Sequence, residues 1–215
     1  MNRTQKGPKR PQLLCVLGCE GENQERLYFQ KIQELVNKTE KRTHDLSFLY
    51  AEPFGGDPKC VVERTITRSI GKTNKASVFD YDGKTSKYEE AIDLAMEHRI
   101  VLGYTNYCFD LWLLLHKENY IQAVSNQDGY ANELRKAYGL KKGVNIKKKE
   151  QVEKIMEQIN MEDVITAIAR AESIAFHNLK KASHKTPQGY MYYDNPDTQI
   201  HNMLKLLFHK VGVSA

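Results

Sequence analysis

Three features of the sequence predict an α/β fold with a central parallel sheet, flanking helices and a helical C-terminal portion. Short apolar runs alternate with helix-period segments between Gln12 and Tyr104. These runs end at Gly or at acidic residues, as buried parallel strands do. Beyond about residue 120 the strand-type runs stop, while helical spacing of apolar residues continues.

The elements follow in order. Residues 1–11 form a basic arm, rich in Lys and Arg. Leu13-Leu14-Cys15-Val16-Leu17-Gly18 reads as the first strand, over about 12–18. Leu27, Ile32, Leu35 and Val36 place a helix over about 23–38. Asp45 to Tyr50 is a second strand. Gly55-Gly56-Asp57-Pro58 is a loop in which Asp57 caps the next helix and Pro58 takes its first position. That helix carries Val61, Val62, Ile66 and Ile70. Lys75 to Phe79 is the third strand, ending at Asp80. Tyr88, Ile92, Leu94, Ala95 and Met96 mark a third helix, and Ile100 to Tyr104 a fourth strand. The alternation argues for right-handed crossovers in one parallel sheet.

Thr105 to Cys108 reads as a turn, followed by the apolar run Phe109 to His116. The α/β core is thus expected over 12–120, with a helical portion over 121–215 packed on it. Helices are expected at about 127–138, 149–158, 161–181 and 197–210, with no strand among them. Pro187 to Pro196 is a loop carrying Tyr190, Tyr192 and Tyr193, which either cover the core or stack on bases.

Composition narrows the functional classes. No run approaches the roughly 18 apolar residues that would span a bilayer, so no membrane partner is expected. No signal-peptide core follows the basic arm, which predicts a cytoplasmic location. Cys15, Cys19, Cys60 and Cys108 lack paired zinc-ligand spacing and read as reduced thiols. The net charge of +5 is unevenly spread. Lys and Arg gather at 3–10 and at Arg135 to Lys154, including Lys141, Lys142, Lys147, Lys148 and Lys149, and again at Lys180, Lys181 and Lys185. Such patches suit a nucleic-acid backbone or a solvated helix face.

Two acidic clusters sit where apolar runs stop. Cys19-Glu20-Gly21-Glu22 closes the first strand and Asp80-Tyr81-Asp82-Gly83 the third. In an open α/β sheet, ligands bind beyond the carboxyl ends of the strands, so both clusters should face one crevice. Carboxylates gathered there repel one another unless a proton or cation intervenes. Mg²⁺ or Mn²⁺ suits hard oxygen ligands of this kind together with phosphate. Gly21 is expected to let the chain turn sharply after Glu20. Glu22 and Glu25 read either as ligands or as first-turn acids that a helix dipole favours. Asp80 and Asp82 form a D-x-D whose side chains point the same way, or an Asx turn. Asp110, amid apolar residues, needs a partner such as Asn106 or a metal. His116 is either a polar helix end in the core or a general acid/base. Gly55-Gly56-Asp57 lacks the Lys-Ser/Thr of a P-loop, so ATP use would fall to a partner.

These motifs resemble the RloB-like family. The resemblance is carried by Cys19-Glu20-Gly21-Glu22, Tyr28-Phe29, Gly55-Gly56-Asp57-Pro58 and Val78-Phe79-Asp80-Tyr81-Asp82. It extends through Asn106 to His116, and through the late Asn195-Pro196-Asp197-Thr198 with His201. The family is associated with abortive-infection and restriction loci, often beside an ATPase, and is placed in the Toprim superfamily. The resemblance implies a Toprim-like core in which Glu20 is catalytic or metal-binding and Asp80 with Asp82 hold the metal. Tyr107 stands where the family usually has Pro, and Asp110 where it usually has Glu. The first departure is expected to loosen the turn, the second to withdraw a carboxylate from the site.

The expectation is a Mg²⁺- or Mn²⁺-dependent nuclease acting on DNA or RNA in phage defence. Glu20, Asp80, Asp82 and His116 are its catalytic candidates, Glu22, Glu25 and Asp110 further metal ligands, and the lysines its nucleic-acid contacts. The rival expectation is a non-catalytic module that binds nucleic acid or its ATPase partner.

Overall fold

The computed structural model describes residues 10–81, 83 and 85–214. Strand β1 (Gln12–Cys19) is one of the two inner strands of a four-stranded sheet. Helix α1 (Gln24–Lys38) leads to β2 (Asp45–Tyr50), which runs parallel to β1 from Gln12 beside Asp45 to Leu17 beside Tyr50. Helix α2 (Pro58–Arg68) starts as its sequence dictates, with Pro58 in the first turn and Asp57 Oδ1 accepting the Cys60 N–H at 3.0 Å. Strand β3 (Asn74–Val78) pairs with the other edge of β1, helix α3 (Thr85–Glu97) follows, and β4 (Val101–Leu102) pairs with β3. The order is β2-β1-β3-β4, all parallel.

Period-two alternation assigns the two faces of this sheet. Cys15, Leu17 and Cys19 of β1, with Ala76 and Val78 of β3, join one large core that also takes residues of α1 and the C-terminal helices. Gly18 and Ser77 face the other way, onto α2. A Cβ on Gly18 would overlap Thr65 Oγ1 and stand 3.0 Å from the Val61 carbonyl oxygen. Ser77 Oγ donates to Thr65 Oγ1 at 2.9 Å. The absent side chain at Gly18 therefore sets how closely α2 lies on β1. A second cluster, including Phe79, Tyr88, Ile92 and Tyr104, fills the α3 side. All four cysteines are free, and Cys15, Cys19 and Cys108 are buried.

After β4 the chain forms β5 (Thr105–Asn106) and α4 (Asp110–Leu115), whose six residues are all buried. Helices α5 (Gln127–Ala137), α6 (Lys149–Glu157) and α7 (Met161–Asn178) follow, close to the predicted ranges. The expectation of no strand beyond residue 120 does not hold. Strands β6 (His184–Lys185) and β7 (Met191–Tyr192) make a small antiparallel pair, and β8 (Asp197–Thr198) pairs antiparallel with β5. Two-residue strands are too short to print an alternating pattern in the sequence. The last helix, α8 (Ile200–Val211), accordingly starts after the predicted 197.

The late Asn-Pro segment has a structural task. Asn195 Oδ1 accepts from the Val124 N–H at 2.7 Å and from the Tyr130 hydroxyl at 3.3 Å. Asn178 Nδ2 donates to the Pro196 carbonyl at 2.9 Å. Together these contacts deliver β8 to β5, and Thr105 of β5 in turn bridges Asp80. Among the described residues no helix is long and apolar enough to cross a membrane.

Candidate functional site

The carboxyl ends of β1 and β3 open onto a cleft of about 300 Å³. Glu20, Glu22, Glu25, Asp80 and Lys147 line it, with Gly21, Asn23, Gln24 and Gly55. Glu20 directly follows β1, and its N–H donates to the Val78 carbonyl at 3.2 Å, which carries the β1–β3 ladder one residue further. Its side chain then crosses to the other strand end, where Oε2 accepts the backbone N–H of Asp80 at 3.2 Å. The Gly55 N–H donates to the Glu20 carbonyl at 2.7 Å, closing the Gly55-Gly56 loop over the same edge. The two acidic clusters separated in sequence thus share one wall. Asp82 lies outside the described residues.

The remaining candidates divide by burial. Glu22 is exposed and stands 3.9 Å from the Arg26 guanidinium one helical turn on. Glu25 is buried in the first turn of α1. Burial raises its pKa, against the backbone N–H groups of Glu25 and Gly21 and the charge of Lys147. Asp110, 2% exposed, lies outside the cleft lining. Its hydrogen-bond partner is Gln24, whose Nε2 donates to Oδ1 at 2.7 Å, and not Asn106. Burial raises the Asp110 pKa, while Gln24, Lys147 and Arg135 oppose the shift. Asn106 is engaged elsewhere, donating from Nδ2 to the Tyr193 carbonyl at 3.1 Å. Gly21 lies outside the positive-φ region, so the turn after Glu20 does not use a left-handed glycine conformation.

His116 is not part of this cleft. It closes α4 inside the core, with Nδ1 2.9 Å from the Trp112 carbonyl and Nε2 3.2 Å from the Tyr28 hydroxyl. Tyr192 is buried too, packing edge-on against Tyr88 with its hydroxyl donating to Glu89 at 2.6 Å. It belongs to a covering segment rather than to a stacking surface.

The basic connection between α5 and α6 is not uniform. Lys141, Lys142 and Lys148 are exposed and do not line the cleft. Lys149 opens α6 and stands 3.8 Å from Glu153. Lys147 is exposed as well, but it lines the cleft with the acids. Burial pulls its pKa down, but Asp80, Asp110, Cys108 and Glu25 outweigh that and hold it above the ordinary lysine value. Sequence reasoning grouped Lys147 with its neighbours because a lysine run carries no mark of which member lines the cleft. It also missed Gln24 and Asn23, although Asn23 directly precedes a helix-period segment.

The donor set fits a hard divalent ion, with a limit. Among the described residues no three His, Cys, Asp or Glu side chains converge closely enough to cage a metal. Mg²⁺ does not require such a cage, since it commonly keeps several waters and takes one or two carboxylates plus substrate phosphate. Glu20 and Asp80 supply that pair. A second cavity of about 280 Å³, at the opposite end of the sheet between β3, β4 and α8, contains none of the candidate residues.

The RloB-like protein family model matches residues 15–207, from within β1 to within α8, and therefore spans both the cleft and the helices behind it. No curated protein and no solved structure matches the chain. The match takes in both strand-end acids, the α4 block and the late Asn-Pro segment, so the chain belongs to the RloB-like family.

Proposed function

We propose that this chain is a Toprim-type nuclease, dependent on Mg²⁺ or Mn²⁺, that cleaves phosphodiester bonds in DNA or RNA. One observation carries the reading: Glu20 Oε2 accepts the Asp80 backbone N–H at 3.2 Å, which sets the acids of two neighbouring strand ends on one wall of an open cleft. Glu20 and Asp80 would hold the ion, with Asp82 beside them in sequence. When bound, such an ion stabilises charge on a phosphoryl group and makes water a competent nucleophile near neutral pH. Glu25, in the cleft lining but folded onto the backbone of its own turn, and Asp110, buried outside the lining, would support the site rather than ligate the ion directly. Lys141, Lys142, Lys148 and Lys149 lie on the same connection as Lys147 and suit the flanking phosphates of a long polyanion. The family resemblance supports a place in cytoplasmic anti-phage abortive infection, with ATP use left to a partner ATPase.

A second reading is a non-catalytic subunit that binds nucleic acid or that ATPase. The lack of a three-residue cage among the described residues favours it. Cleavage of mixed DNA and RNA with Mg²⁺ or Mn²⁺, comparing wild type with Glu20→Ala and Asp80→Ala, separates the two. Metal-dependent cleavage lost in both variants supports the nuclease. Nucleic-acid binding without cleavage, unchanged in both variants and with the ATPase present, supports the subunit.

A further inference from the structure

We infer that Lys147 is a built-in second cation of the cleft, so that the site takes one divalent ion and sets a fixed lysine charge beside it. The inference rests on the metal-site reading of Glu20 and Asp80. Its own support comes from how the chain holds this one lysine.

Lys147 lies far from β1 and β3 in sequence, on the connection between α5 and α6, yet lines the cleft with their acids. Three residues of that connection are tied down. Arg135 Nε donates to the Val144 carbonyl at 2.9 Å. Ile146, 3% exposed, is sunk in the main core. The Lys147 N–H donates to Asn145 Oδ1 at 2.9 Å, and its carbonyl accepts from Asn23 Nδ2 at 3.1 Å. Asn23 is the informative partner. It occupies the N-cap position of α1, where an Asn side chain ordinarily bonds the helix's own N–H groups. Here it makes no capping bond and holds the lysine backbone instead.

Charge balance gives this anchoring a purpose. A two-ion phosphodiesterase places its cations about 3.5–4 Å apart, each with its own carboxylates. In this cleft Glu22 stands beside Arg26, and Glu25 is folded back onto the backbone of its own turn. Among the described residues this leaves Glu20 and Asp80 as the acids placed for one hydrated ion. A lysine ammonium can neutralise a non-bridging phosphate oxygen as a point charge. It forms and breaks no bond and keeps its proton, and chelation does not remove it.

Mn²⁺ titration by calorimetry on the full chain, without nucleic acid, tests this directly, with thermal unfolding recorded for each variant. Wild type should bind one ion. Lys147→Ala should bind Mn²⁺ roughly threefold to tenfold more tightly, or take up a second ion, because a competing like charge is gone. Lys147→Met, which keeps the apolar stem, replaces the alanine variant if that one unfolds early. Lys147→Arg should match wild type, as should Lys41→Ala, which removes equal charge at an exposed position outside the cleft. In the cleavage assay Lys147→Ala should lose about 100-fold in kcat despite tighter ion binding. A fold defect would weaken both together. Unchanged or weaker Mn²⁺ binding in Lys147→Ala, or two ions in wild type, overturns the inference and leaves the metal-site reading standing. A wild type that binds no Mn²⁺ overturns both. The titration decides even where the isolated chain does not cleave.

Discussion

The Glu25 carboxyl group lies over Gly21: a Cβ added to Gly21 would overlap its Oε2 and stand 2.7 Å from its Cδ. The glycine in Glu20-Gly21-Glu22 is thus required for a close approach, not for a left-handed turn. It lets a buried acid reach the N–H groups of Gly21 and Glu25, the unpaired donors of a helix start. Gly21→Ala should push the acid off these donors and cost about 1–3 kcal/mol. In the Gly21→Ala, Glu25→Ala double variant the penalty should shrink, since the colliding group is gone. A denaturant double-mutant cycle measures the coupling, and simple additivity would contradict this account.

Asp80 should behave as a functional acid held at a cost. It is 7% exposed and shares its wall with Glu20, so removing its charge relieves repulsion in the metal-free protein. Asp80→Asn should unfold at or above the wild-type temperature without divalent ions. The upward shift that Mn²⁺ gives wild type should disappear in the variant, because a ligand stabilises only the state that binds it. Melting curves with and without Mn²⁺ check both halves. A sharp metal-free drop in the variant, with no ion effect on wild type, would instead make Asp80 a structural residue.

The parts of this fold legible in the sequence are those set by local pattern. The parallel strands, the Asp57-Pro58 helix start and the placing of Glu20 and Asp80 at strand ends all follow from short apolar runs and their punctuation. The site's depth was not legible. Gln24 and Asp110 are 86 residues apart and meet only once α1 and α4 pack together. Strand β8 exists because Asn178 and Asn195 deliver it, and two residues leave no periodic trace. Lys147 looks like its neighbours until Ile146 is buried and Asn23 takes its carbonyl.

His116 should prove to be a core residue. A carbonyl only accepts, so the contact with Trp112 places the proton on Nδ1 and leaves Nε2 to accept from the Tyr28 hydroxyl. Burial lowers its pKa to about 4, so it is neutral at pH 7. His116→Gln should cost about 1–3 kcal/mol by leaving buried partners unsatisfied, while Mn²⁺ affinity stays at the wild-type value. The unfolded chain binds its proton near pH 6.5 and the folded chain only near 4, so wild type loses stability from this group as pH falls between them. The variant lacks that component. Lost ion binding with unchanged stability would return His116 to the site.

Asp197 should impose the opposite slope. It sits in β8 opposite Asn106, 1% exposed, with Oδ2 accepting the Tyr193 N–H at 3.2 Å. Burial pushes its pKa up from 3.8 to about 7, against hydrogen bonds from Tyr193, Tyr104 and Thr198 and the charge of Lys181. The folded state therefore holds a proton that the unfolded state has already released between these values. That contribution is full below pH 3.8 and is lost as pH rises through about 7. Asp197→Asn keeps the shape and removes the charge, so its stability relative to wild type should climb by about 2–4 kcal/mol between pH 4 and 7, then level off. Denaturant midpoints across that range give the difference directly, free of the other titrating groups the two proteins share. A flat difference would mean that Asp197 is charged in the fold, with β8 held to β5 by the ion rather than by the acid.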